Sequence, residues 1–307
     1  MVEQIDFNSI FKRQLIMISG KGGTGKTTLA IFLAKFLASM DKKILLIHVN
    51  RLTEESWEKD YLVESKNLSQ LNINSNSMFK EYIMLKLKSE VLYNLFFEKF
   101  TALEVLRRAA PALNELLIIG KIYFECKQRN FLFQRKWDHV IVDLPSTGHA
   151  LTILNIPSVV KKIFRKGIVA KEAEKIIEIV YNKERSCVLL TCLPEYMPVQ
   201  ETLKFIETAK QKLGVSIGPV FLNKLPYPIT WINSEEYKNN ENKIPKETKK
   251  LLENYKDRYN SAIEQKDFLE KNSQNVVYNI PYVYGGTSNP DFFNQLGNKL
   301  QELSSVF

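Results

Sequence analysis

The residues best equipped for chemistry lie together near the start of the chain, in Gly20-Lys21-Gly22-Gly23-Thr24-Gly25-Lys26-Thr27-Thr28. They fit G-x-x-x-x-G-K-[ST], a loop whose glycines let the backbone curl until successive N–H groups point inward at phosphate oxygens. A helix that starts at the loop adds the partial positive charge of its N-terminus. Lys26 can then reach the β- and γ-phosphates of a nucleotide, and Thr27 can ligate Mg²⁺. Gly20, Gly22, Gly23, Thr24, Gly25 and Thr28 complete the expected cradle. Further on, Trp137-Asp138-His139-Val140-Ile141-Val142-Asp143-Leu144 is an apolar run ending in an acid. Downstream of a phosphate loop, that acid is where a water-mediated Mg²⁺ partner belongs, so Asp143 is the second candidate ligand.

These groups need a frame that brings them together. Gln14 to Ser19 reads as a short buried strand before the loop, and Leu29 to Met40 as an apolar helix after it, stopped by Asp41-Lys42-Lys43. Lys43 to Val49 is a second buried strand, and Asn50-Arg51-Leu52-Thr53 leaves its C-terminal end, the side on which α/β sheets hold ligands. Residues from about 54 to 136 are mostly helical in pattern, with polar linkers such as 72–77, and form the expected helical subdomain. The apolar residues between Met78 and Phe100 give that subdomain either a core face against the sheet or a groove for an apolar client helix. A strand and turn are expected again at Cys187 to Glu195, followed by an amphipathic helix over Val199–Leu213 and a polar helical insertion at about 229–275. Alternation of strand and helix predicts a doubly wound, mainly parallel α/β fold, with residues 1–307 as a single domain.

Composition narrows the classes. A chain of 307 residues with 45% hydrophobic content can bury a full core. The net charge of +9 raises nucleic acid or an anionic membrane surface as partners, although Lys/Asn-rich stretches such as 238–256 account for much of it as a solvated face. No nucleic-acid role is expected, and membrane contact is at most peripheral. Cys126, Cys187 and Cys192 form no C-x-x-C pair, which argues for a reducing, cytoplasmic setting and against a zinc or iron–sulfur site. Met1-Val2-Glu3-Gln4 does not read as a signal peptide, and no apolar run approaches the roughly 20 residues that span a bilayer.

Two stretches carry a family likeness. Lys21, the early lysine in the loop, resembles the deviant phosphate loop of dimeric ATPases that include arsenite-pump, septum-positioning, partition and nitrogenase-iron-protein members. Asp143-Leu144-Pro145-Ser146-Thr147-Gly148-His149-Ala150-Leu151 resembles the switch segment D-x-x-x-T-G-H-x-L of the arsenite-pump and tail-anchored-protein-targeting ATPases in particular. Pro111 to Leu117, Leu193-Pro194-Glu195, Glu201-Thr202, Val220 to Lys224 and Ile280 to Val283 are similar to further stretches of that family. The resemblance implies an ATPase using ATP and Mg²⁺, working as a nucleotide-dependent homodimer or as a heterodimer with a paralogous ATPase. It implies that Lys21 contacts the partner's phosphates and that Asn223 holds the adenine edge, with Pro281 flanking it. Pro145, Thr147, Gly148 and His149 would relay the γ-phosphate state to the helical subdomain and an unknown protein client.

The departures are specific. Where the family's second strand ends in an aspartate that positions the attacking water, this chain has Asn50. Asparagine keeps the size but loses the charge that polarises water, and Glu54 or Glu55 would have to substitute. Catalysis is therefore assigned to Lys21, Lys26, Asn50 and Asp143, with slow turnover expected. Cysteines are missing from Arg107-Arg108-Ala109-Ala110-Pro111, so a thiolate site for trivalent metalloid is not expected there. Two alternatives remain open: a hydrolysis-deficient regulatory subunit paired with a catalytic paralogue, and a membrane-surface positioning ATPase.

Overall fold

The computed structural model describes residues 7–49, 66–73, 111–163, 166, 168–233, 235–286, 289, 291–293 and 295–297. Asn50, Glu54, Glu55 and the apolar stretch 78–100 lie outside them. The described chain builds one seven-stranded sheet: β1 (Leu15–Gly20), β2 (Ile44–Val49), β3 (Leu68–Ile73), β4 (His139–Asp143), β5 (Ser186–Cys192), β6 (Ile217–Leu225) and β7 (Val277–Pro281). Their order across the sheet is β3-β2-β4-β1-β5-β6-β7, and every pairing is parallel.

The apolar runs of the sequence explain this architecture. In β1, β2, β4 and β5 every residue is buried, because both faces of a parallel sheet are covered by helices. Alternate residues enter two separate cores. Leu15, Met17, Leu45, Ile47, Val188 and Leu190 face one, and Ile16, Ile18, Ile44, Leu46, Cys187 and Leu189 the other. The second core is closed by α1 (Lys26–Ser39), whose Leu29, Ile31, Phe32, Leu33 and Leu37 are all buried. The first is closed by α2 (Pro111–Lys127), α3 (Thr147–Ile163), α4 (Ile168–Val180) and α5 (Tyr196–Thr208).

Two expectations about the span 54–136 are corrected. Residues 68–73 form the edge strand β3, paired along its length with β2, and are not helical. Its inner neighbour accounts for this: the strand lends hydrogen bonds to β2 while Ser69, Gln70 and Asn72 stay exposed, so no apolar run marks it. Residues 128–136 are a tight hairpin. The Asn130 side chain accepts the backbone N–H groups of Leu132 and Gln134, a local closure that competes with helix. The polar segment 229–275 holds mainly helix among its described residues. Its main element, α6 (Lys246–Ser273), buries only Ala262, Leu269 and Ser273. At the other end of the chain, Leu296 is buried against the α1 face.

Candidate functional site

The loop of residues 20–25 emerges from the C-terminal end of β1, the central strand, where the chain's excursions turn to opposite halves of the sheet. Its shape depends on glycine at two points. Gly20 is so close to β5 that a Cβ there would meet the Thr191 carbonyl at 2.3 Å. Gly25 has φ 98° and caps α1 without a side-chain hydrogen bond, so the positive end of the helix is not covered by a capping side chain. A Cβ on Gly25 would collide with Asn223 Nδ2 at 2.4 Å. Gly23 also takes a positive φ, of 80°.

Neighbouring strands brace this loop. The Thr24 hydroxyl donates to the Lys21 carbonyl (2.8 Å) and lies 2.7 Å from the Thr191 hydroxyl at the end of β5. Asn223, on β6, donates its amide to the Thr24 carbonyl at 2.9 Å. Lys26 Nζ folds over the loop to donate to the Lys21 carbonyl at 2.9 Å. Gly25, Thr28, Thr191, Asn223, Ile280 and Leu296 line a shallow cleft beside α1. Pro281 ends β7 next to Ile280 and pairs with Leu225 at the far end of β6.

Asp143 ends β4 beside the start of α1. The Thr27 hydroxyl donates to its Oδ2 at 2.6 Å. The carboxylate is buried, and hard oxygen donors on adjacent elements are the chemistry that Mg²⁺ prefers. The residues therefore fit the ion that the motif implies. A third group, unanticipated from sequence, joins them. His48, buried near the end of β2, brings Nδ1 to 3.3 Å from Asp143 Oδ2. A hydrogen bond to a carboxylate requires the proton on Nδ1. The sequence signal was a histidine inside the otherwise aliphatic run Ile44–Val49, in register with Asp143.

Past Asp143 the chain turns into α3. The Pro145 carbonyl accepts the Ser19 hydroxyl at 3.1 Å, tying this segment to β1. Thr147 is buried, Gly148 is exposed in the first turn, and His149 Nε2 sits 3.2 Å from Glu115 Oε1 on α2. The most informative contact is with α5. Lys21 Nζ forms an ion pair with Glu201 Oε1 at 2.8 Å, while the Thr147 hydroxyl approaches Glu201 Oε2 at 3.5 Å. One carboxylate thus touches both the loop and the switch segment. Sequence likeness marked Glu201 but gave it no role. Asn50 lies outside the described residues.

The three cysteines are free and buried. Burial raises the thiols of Cys126, Cys187 and Cys192 to about 12 each, so they are protonated at neutral pH. No helix among the described residues is long and apolar enough to cross a membrane.

Comparison with known proteins adds to this geometry. The family described as "Anion-transporting ATPase" matches residues 13–173, a span holding the loop, Asp143 and the switch segment. "ATPase BagA" of Mycobacterium tuberculosis is 28% identical over 228 residues, covering 69% of this chain and 65% of the relative. The chain thus spans about two thirds of that relative's length. "Putative arsenical pump-driving ATPase 2" of Aquifex aeolicus is 24% identical over 276 residues, 79% of this chain and 89% of the relative. "ATPase get3" of Schizosaccharomyces japonicus is 30% identical over 159 residues, 49% of this chain and 46% of the relative.

Proposed function

Because the chain belongs to the anion-transporting ATPase family, we propose that it is an ATP-binding, ATP-hydrolysing switch, dimeric when nucleotide is bound, that couples its nucleotide state to a client. The observation that carries this reading is the convergence of Thr27, Asp143 and the Gly25-capped start of α1 at one end of the sheet.

The chain's own residues supply most of the chemistry. Backbone N–H groups of the loop and of the α1 N-terminus would hold the phosphates, with Lys26 released from the Lys21 carbonyl to meet them. Thr27 and, through water, Asp143 would hold Mg²⁺, which neutralises charge on the β- and γ-phosphates when bound. His48 fixes the orientation of Asp143. The cleft beside Asn223, Ile280 and Pro281 is the adenine side of the site in this reading. Lys21 would cross to the partner's phosphates, countering charge there as an arginine finger does.

Pro145, Thr147, Gly148 and His149 would carry the switch, and the His149–Glu115 contact gives it a mechanical path to α2. Free energy from nucleotide binding then goes into subunit closure. Trivalent metalloid is not the client in this reading, since all three thiols are buried and protonated. A protein client, or a paralogue supplying the acid that Asn50 lacks, fits the chain better.

Steady-state ATP turnover, run beside Asn50→Asp and Lys26→Ala with nucleotide binding measured separately, tests the proposal. Wild type should bind ATP and turn over slowly, Asn50→Asp should gain on the order of a hundredfold, and Lys26→Ala should be inert. Binding without turnover, restored only by Asn50→Asp, would establish the regulatory subunit instead. Absence of ATP binding would end both readings.

A further inference from the structure

The opposite end of the sheet from the nucleotide site carries a feature that an ATPase cycle does not use. Between α2 and β4 the chain makes the hairpin 128–136, with Arg129 and Arg135 paired as an antiparallel bridge. Its apex is Phe131-Leu132-Phe133, exposed at 96%, 69% and 87% respectively. Isolated surface hydrophobics are ordinary, but three in succession on a projecting turn are not.

The apex is built, not frayed. Asn130 N–H donates to the Gln134 carbonyl at 2.8 Å, Lys136 N–H donates to the Gln128 carbonyl at 3.0 Å, and the Asn130 side chain closes the turn from inside. Phe133 takes φ 59°, a left-handed conformation that bulky side chains rarely adopt. The base is clamped to the body, where Gln14 Nε2 donates to the Cys126 carbonyl at 2.6 Å and Trp137 Nε1 approaches Glu125 at 3.4 Å.

Charge surrounds the base and leaves the tip clear. Lys127, Arg129, Arg135 and Lys136 are exposed immediately behind the three apolar residues. The pattern extends across five of the seven strands, β6 and β7 excepted. Parallel register aligns the entrances of β1, β2, β3, β4 and β5, and within three residues of each entrance lies Arg13, Lys43, Lys66, Lys136 or Arg185. In the segments 11–14, 40–43, 66–67, 127–138 and 181–185, Lys and Arg outnumber Asp and Glu by eleven to three.

We infer that this edge is a peripheral membrane-docking surface: Phe131, Leu132 and Phe133 enter the interfacial zone of an anionic bilayer while the basic edge meets its headgroups. An apolar tip leading and a cationic collar behind match the layering of such a surface, apolar beneath charge. A nucleic acid would instead need rings lying along a basic groove, where bases could stack. The docking edge lies opposite the ends of β1 and β4 that hold the loop and Asp143, so docking and nucleotide exchange do not compete for space.

Flotation of the full chain with vesicles of phosphatidylcholine, with and without about 30% phosphatidylglycerol, tests the inference. Wild type should float with the anionic vesicles alone, and less as salt rises. Phe131→Ser and Phe133→Ser should each weaken the partition by about tenfold. Arg129→Gln with Arg135→Gln should weaken it by about thirtyfold, at roughly fivefold for each charge near the surface. Unchanged melting temperatures would show that the exposed substitutions leave the fold intact. Equal flotation of wild type and the tip variants overturns the inference, as does failure of wild type to float. Loss of a single-stranded oligonucleotide complex, or of a protein complex, in the tip variants without vesicle binding would also overturn it.

Discussion

Glu201→Gln is the perturbation that tests most about the proposed dimer. In this structure Glu201 holds Lys21 at 2.8 Å, so a lysine destined for a partner's phosphates must first leave this carboxylate. The Coulomb attraction of two charges at that distance would be large in a dry interior. Both side chains are about a third exposed, at 36% and 34%, so solvent screening reduces the pair to about 1 kcal/mol. Removing the charge with an isosteric amide should therefore favour the released lysine about fivefold in each protomer, and about thirtyfold in a symmetric dimer that uses both. The assay is the dimer dissociation constant by sedimentation velocity with a slowly hydrolysed ATP analogue. Lys21→Met and the double variant complete a cycle. The gain should vanish in the Lys21→Met background. A dimer that is weakened or unchanged by Glu201→Gln would refute the view of Glu201 as a holding contact, and would make it either a support for Lys21 in the closed state or irrelevant to it.

Other outcomes follow from contacts already described. Thr27→Val removes the hydroxyl that donates to Asp143; the affinity for ATP, measured by calorimetry with Mg²⁺ and with chelator, should lose most of its dependence on the ion. Native protein at pH 8 should react negligibly with a thiol reagent, and three thiols should titrate after unfolding, because burial raises Cys126, Cys187 and Cys192 to about 12. The same shift makes stability fall with rising pH. Each thiol is neutral in the folded chain but ionises from about 9 in the unfolded one, which costs about 1.4 kcal/mol per pH unit per thiol between those values. Denaturant midpoints measured from pH 8 to 11 would show it.

What could be read from the chain depended on how local the determining physics is. The phosphate loop is specified by nine consecutive residues, and its strand and helix by the apolar runs that flank them, so loop, frame and Asp143 were all legible. β3 was not, because an edge strand needs only one partner and keeps a polar surface; Leu68–Ile73 alternates weakly and is defined by β2 beside it. The hairpin was hidden for another reason. Its turn is closed by a single Asn130 side chain, and the three consecutive apolar residues at its apex carry no period that marks a turn. His48 and Glu201 came into view as contacts of Asp143 and Lys21 only when the fold brought residues 95 and 180 positions apart together.

The central position of β1 has a consequence for how this protein is made. Gly20 pairs with Thr191, and the carbonyl and hydroxyl of Thr191 shape the floor beneath the loop. At roughly 5–20 residues per second, synthesis takes on the order of 10–30 s to travel from the one to the other. For most of that interval the buried strand β1 waits without β4, and for all of it without β5. Its phosphate loop lacks the braces from β5 and β6 that hold its curvature. A ribosome-bound chain halted before β5 should therefore be both a chaperone substrate and blind to ATP. Acquisition of nucleotide affinity would then report that the sheet has closed around its first strand.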